Sequence, residues 1–430
     1  MPRSPRPPTS RASWPAARAG SWTCRRTGTA PCCCSALGYR ASGEPNPAEN
    51  APTDEVAAAA LREGYALVGS SYATTGWAVE QAVPDQLATL DEFAERFGPA
   101  RRTIAWGRSY GGLVTTTIAE RRPERIDGSL SMCGLVQGGV ANWNSTLDAA
   151  HALKTLLSPD ADLPLTGFPG PEAAARAAET LTGAVEAAQA DPRGRARLAL
   201  AAALHNIPGH NDPGQPEPGD RDWAAQQRNQ YEALRRFPTT AVEWRQEAES
   251  RAGGNMSWNT GVDYRAMLAK SPHATEVRAL YGAAGLSLED DLAALEDAPR
   301  ISADPEAVDY MTRNVAFTGQ LTKPQLDIHT TGDGLVPVQV TSAHRDAVNR
   351  AGVARLLRQA HVDRPGHCTF TTGEQMAALR ALESRIGSGR WGSTAAAAMN
   401  ARARAAEPGA EHSYVDREPA PYPRPYDLAG

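Results

Sequence analysis

The sequence predicts an α/β fold, in which a mostly parallel sheet is flanked by helices and interrupted between two strands by a helical insertion. Three observations predict it. Short apolar runs alternate with amphipathic stretches over residues 37–137; the alternation stops over 138–322, which reads as helix and loop; and it resumes over 323–392. Strand–helix alternation with short connections is the signature of a parallel sheet covered by helices.

Each element has its own signal. Thr53–Glu63 has helical spacing, with Asp54 and Glu55 near its start. Tyr65–Tyr72 is a short apolar strand. Val83–Phe97 places Leu87, Leu90, Phe93 and Phe97 at helical intervals. Arg102–Trp106 reads as a strand, Leu113–Arg122 as a helix and Gly128–Leu135 as the next strand. The insertion contains the breakers Pro208-Gly209 and Asp212-Pro213-Gly214, together with Trp143, Trp223, Trp244 and Trp258. Inserted there, it is expected to lie as a cap over the carboxyl edge of the sheet, where open α/β folds bind ligands. A separate second domain is the competing reading. Beyond it, Pro324–Thr331 reads as a strand, Val338–Ala351 as a helix, Ala354–Val362 as a strand and Thr371–Ile386 as a closing helix. Residues 393–430 read as a polar, Pro-rich tail.

Composition narrows the function classes. The chain of 430 residues has a net charge of −5 and no dense basic stripe, so a nucleic-acid partner is not expected. No apolar run approaches the ~20 residues that span a bilayer. No Gly-rich phosphate loop, dinucleotide fingerprint or clustered metal-ligand set argues for a cofactor or a metal.

The chemistry is concentrated in three short segments. Gly107-Arg108-Ser109-Tyr110-Gly111 is a G-x-S-x-G pattern between an apolar strand and a helix. A nucleophile on that tight turn clears the sheet, and the crowded backbone demands small residues on either side. Thr331-Gly332-Asp333-Gly334 places Asp333 just after a strand, in a Gly-flanked turn suited to a histidine-orienting acid. The competing acid, Asp327, lies inside the strand. Of nine histidines, only His367 lies in a loop between the last strand and the last helix, so it is the expected base. His329 reads as a strand packing residue.

The order Ser109, Asp333, His367 and the segments 64–77 (GYALVGSSYATTGW), 105–112 (AWGRSYGG), 330–337 (TTGDGLVP) and 364–371 (RPGHCTFT) resemble the α/β-hydrolase superfamily. In detail they resemble secreted actinobacterial esterase- and peptidase-like members. The resemblance covers residues 38–392 and implies an α/β-hydrolase fold with acyl transfer to Ser109. It implies an oxyanion hole made by the backbone N–H of Tyr110 and one from the loop at Gly38 and Tyr39. Family members often carry His-Gly in that loop, whereas this chain has Leu37-Gly38. Tyr72 and Trp77, after the strand beside the elbow, are expected to face the substrate pocket. The substrate is expected to be a small ester, or alternatively a peptide. Secretion follows from the resemblance, although no signal peptide is legible; a cytoplasmic location is the alternative.

Residues 1–36 show neither helical nor strand periodicity, and the strand expected before Gly38 is missing. Two readings are open: a disordered tail, or a segment translated out of frame. Back-translated with TGC and TGT codons for Cys32–Cys34 and shifted by one nucleotide, the stretch from Cys24 reads Val-Pro-Ala-Asp-Trp-Asn-Gly-Thr-Val-Leu-Leu-Phe-Ser, a turn followed by an apolar strand. A defective segment there would leave an inactive, hydrolase-like protein as a further functional reading. Of six cysteines, Cys133 and Cys368 then remain, either as a disulfide at the carboxyl edge of the sheet or as two buried thiols.

Overall fold

The computed structural model describes residues 9–13, 19–23 and 30–426. Among the described residues, nine strands form one sheet: β1 (Thr9–Ser13), β2 (Ala19–Thr23), β3 (Pro31–Ala36), β4 (Ala66–Ser70), β5 (Arg102–Arg108), β6 (Gly128–Met132), β7 (Gln325–Gly332), β8 (Leu357–Pro365) and β9 (Tyr414–Val415). Their order is β1-β2-β4-β3-β5-β6-β7-β8-β9. The run from β4 to β8 is parallel, and β1, β2 and β9 pair antiparallel at the edges. With its flanking helices, this is an α/β-hydrolase fold.

Within 1–36, the described residues 9–13, 19–23 and 31–36 form strands, where a disordered tail was one of the two expectations. β3 lies between β4 and β5, with all six residues buried. A central parallel strand is covered on both faces, so it shows no alternation to read. Cys32, Cys33 and Cys34 serve there as small apolar side chains. On the antiparallel β2, Trp22 is buried under the Arg96 guanidinium. Residues 1–8, 14–18 and 24–29, including Cys24, lie outside the described residues, so the expectation for 1–36 is met or corrected only where β1–β3 are seen.

Helices cover both faces. On one lie α1 (Asp54–Arg62), α14 (Thr372–Ser388) and α15 (Ala396–Ala406), joined through Val56, Leu67, Leu130, Ile328 and Leu382. On the other lie α2 (Val79–Phe97), α3 (Tyr110–Arg121) and α13 (Val340–Arg350). Thr53 caps α1 through the Val56 N–H, and Thr371 and Glu374 form a reciprocal capping box at α14. α2 begins before Pro84, which falls in its second turn.

Between β6 and β7 run α4 (Gly139–Leu157), α5 (Pro171–Gln189), α6 (Pro192–His205), α7 (Trp223–Pro238), α8 (Arg245–Ala252), α9 (Tyr264–Lys270), α10 (Ala274–Ala284), α11 (Leu288–Asp297) and α12 (Pro305–Val315). A π-helical segment, Thr239–Trp244, joins α7 to α8. Leu147, Leu181, Leu200, Leu234, Val277 and their neighbours form a core within this helical layer. A second cluster crosses to the sheet layer, where Trp143, Met256 and Met311 pack with Tyr110, Leu113 and Val136.

The chain after 392 is not a detached tail. β9 pairs with β8, and the Tyr422 hydroxyl donates to the Ala141 carbonyl. Arg424 makes two hydrogen bonds, of 2.7 and 2.8 Å, to the buried Asp148 of α4 and lies over the Trp258 ring. A Pro-rich stretch needs no period to bind an existing surface, so the sequence alone did not reveal this strap.

Candidate active site

β3 and β5 are neighbours whose connections leave in opposite directions, β3 towards β4 and β5 towards β6. Such a switch point opens a crevice at the carboxyl ends of the strands. Ser109 stands there, at φ 57° and ψ −123°, between β5 and α3. The glycines around it explain the motif. A Cβ on Gly107 would lie 2.4 Å from the Gly111 carbonyl oxygen, and one on Gly111 would lie 2.2 Å from that of Ala36. The strand, the turn and the helix are in backbone contact, and no larger residue fits.

The Ser109 Oγ lies 2.7 Å from His367 Nε2, and His367 Nδ1 lies 2.6 Å from Asp333 Oδ2. Asp333 is fully buried. Its Oδ1 accepts from the N–H groups of Leu335 and Val336, at 3.0 and 2.8 Å. Burial alone would raise its carboxyl, but the adjacent His367 and His329 outweigh it and hold the group at about 2. His329, read as a packing residue, is thus a second neighbour of the acid: its Nε2 lies 3.5 Å from Asp333 Oδ2 and 2.7 Å from the Val336 carbonyl oxygen. The competing Asp327 faces away, towards His344 Nδ1 at 2.7 Å.

Cys133, at the end of β6, and Cys368 form a disulfide with Cα atoms 5.4 Å apart. Both residues have left-handed backbones, at φ 46° and 58°. Cys133, His367 and Cys368 are also grouped closely enough to hold an ion. Two sulfurs bonded to each other, however, offer no thiolate ligands.

Two cavities meet at this site. The larger, of about 570 Å³, lies under the insertion and is lined by Asn142, Thr146, Phe237, Trp244, Leu335 and His367, among others. The smaller, of about 420 Å³, is bordered by Gly38, Tyr39, Arg108, Ser109, Trp244, Leu335 and His367. Gly38 and Tyr39 thus border the same cavity as Ser109. Tyr110 opens α3, so its N–H has no partner within the helix. Tyr72 and Trp77 line neither cavity, a correction of the expected pocket. The Tyr72 hydroxyl donates to the Leu37 carbonyl, and Trp77 packs between Tyr110 and Trp143. Large buried rings under a strand end fill the junction between sheet and insertion. The walls come instead from Phe237, Trp244 and Leu335, whose placement depends on how the insertion folds back.

No helix among the described residues is long and apolar enough to cross a membrane. Comparison with known proteins adds a family. The model of the tannase-like family of unknown function (DUF6351) matches residues 5–224. An o-phthalyl amidase of Xanthobacter agilis is 31% identical over 382 residues, covering 83% of this chain and 83% of that protein. Among solved structures, feruloyl esterase B from Aspergillus oryzae aligns at 12% identity with a TM-score of 0.40, over 89% of this chain and 80% of that one. The rice cell wall degrading esterase LipA from Xanthomonas oryzae aligns at 13% identity with a TM-score of 0.35, over 86% of this chain and 84% of that one. On the family match and the amidase relative together, this chain is a hydrolase and belongs to the tannase-like family.

Proposed function

We propose that the protein is a serine hydrolase that cleaves a carboxylic ester through an acyl-enzyme on Ser109. The observation that carries the reading is the continuous chain from Ser109 Oγ through His367 to the buried Asp333. A carboxylate held at about 2 stays ionised, so it keeps the proton of His367 on Nδ1 and leaves Nε2 free to accept from Ser109. As the Ser109 oxygen bonds to the acyl carbon, its proton passes to Nε2. The oxyanion lies against the N–H of Tyr110 and one from Gly38 or Tyr39. His367 then protonates the leaving alkoxide. Water, deprotonated by the same nitrogen, releases the acid and restores Ser109.

A second reading, amide or peptide cleavage by the same three residues, is favoured by the amidase name of the relative. The insertion would act as a cap in either case, since Phe237 and Trp244 wall the larger cavity. The disulfide supports a working place in an oxidising compartment, hence secretion.

Activity on p-nitrophenyl esters, set against acyl and peptidyl anilides, separates the two readings. Ser109→Ala is expected to lower whichever activity is present by on the order of 10⁴-fold or more, and a fluorophosphonate probe is expected to label Ser109. A folded wild-type protein that resists the probe and turns over neither series would instead be the inactive hydrolase-like protein.

A further inference from the structure

The residue before the nucleophile has no role in the chemistry just described. Arg108 ends β5 and is half-buried on the wall of the smaller cavity, beside Ser109 and His367. One Nη donates to the Cys368 carbonyl at 2.6 Å, and the other reaches the Pro52 carbonyl only at 3.5 Å. Among the described residues, no carboxylate comes within ion-pair distance of it. Burial depresses its pKa, and no neighbouring acid opposes that shift. Among the described residues its Nε makes no hydrogen bond, and the side chain borders the cavity. The two acids on the same wall are committed elsewhere and lie exposed: Glu49 pairs with Arg40, and Glu44 accepts from the Ala41 N–H.

A partly desolvated guanidinium without a counter-charge is unfavourable by itself and presents a fork that matches a carboxylate. We propose that this cavity binds a carboxylate on Arg108, so that the preferred substrate is an ester or amide bearing a free acid near the scissile bond. The apolar part of such a substrate fits the larger cavity, across Trp244 and Leu335, which border both. The inference rests on Ser109 and His367 being the reacting pair.

Two pairs of esters test it. The mono-p-nitrophenyl ester of glutaric acid is compared with its methyl-capped diester, and p-carboxyphenyl butyrate with phenyl butyrate. The first pair carries the acid on the acyl group and the second on the leaving group. At least one acidic member is expected to have about 10- to 100-fold higher kcat/KM, by the strength of a charge-assisted pair. In Arg108→Met that ratio is expected to fall to near one, and Arg108→Lys is expected to keep part of it. Equal rates within both pairs overturn the proposal. So does a uniform fall of all four rates in Arg108→Met, which would mean that Arg108 only positions the histidine loop through Cys368. Calorimetric binding of the glutarate monoester to Ser109→Ala, with and without Arg108→Met, needs no turnover. Binding that depends on Arg108 in a protein inactive towards all four esters upholds the anion site while sinking the catalytic reading; Arg108-independent binding overturns the site.

Discussion

Asp333 and Asp327 lie on the same stretch of chain and face different histidines. Asp333 meets His367 in the site, whereas Asp327 meets His344 and Gln359 between β7, β8 and α13. The two acids therefore predict opposite phenotypes. Asp333→Asn is expected to lower kcat by about 10³- to 10⁴-fold, because the imidazole loses the group that fixes its tautomer. Asp327→Ala is expected to keep kcat within about tenfold while destabilising the fold by about 3–5 kcal/mol, the cost of breaking a buried pair. Calorimetry and steady-state rates on both variants check this. The folded chain also depresses the Asp333 carboxyl, so its contribution is full above about pH 4 and fades as pH falls towards 2. Thermal melts from pH 5 to 2 should show acid sensitivity that is reduced in Asp333→Asn. The choice of Asp333 over Asp327 was legible because a post-strand turn and a strand interior differ in sequence. The role of His329 was not, because a buried histidine on a strand looks the same whether or not it touches the acid.

At the scale of elements, the elbow was fully legible and the strand beside it was not. Small residues around Ser109 are a local necessity that the sequence must display: a Cβ at Gly111 would stand 2.2 Å from the Ala36 carbonyl oxygen. Gly111→Ala is therefore expected to push α3 away from β3 and to remove activity even where the protein remains folded, as read by circular dichroism alongside ester turnover. β3 has no such local mark. Its cysteines become apolar strand residues only because β4 and β5 flank them. If the coding sequence places this segment out of frame, the restored Val-Leu-Leu would enter the same slot with larger side chains.

At the scale of the whole molecule, the insertion boundaries were visible as the point where alternation stops and restarts, but its contribution to the cavities was not. Trp244 sits at the end of a π-helical segment, a local irregularity with no recognisable sequence signature, yet it borders both chambers. The strap at Arg424 was hidden for a similar reason, since its partner Asp148 lies across the molecule on α4.

The bridge between Cys133 and Cys368 spans 235 residues of sequence. Every helix from α4 to α12 lies within that span, so the whole insertion hangs as a loop from two points that stay tied. A protease that cuts an exposed turn of the insertion, such as the stretch near Gly214, severs the backbone without separating the molecule. The nicked protein should migrate as one species on a denaturing gel and fall into two fragments only after a thiol reductant is added. Two fragments without reductant would mean that the two cysteines are not joined.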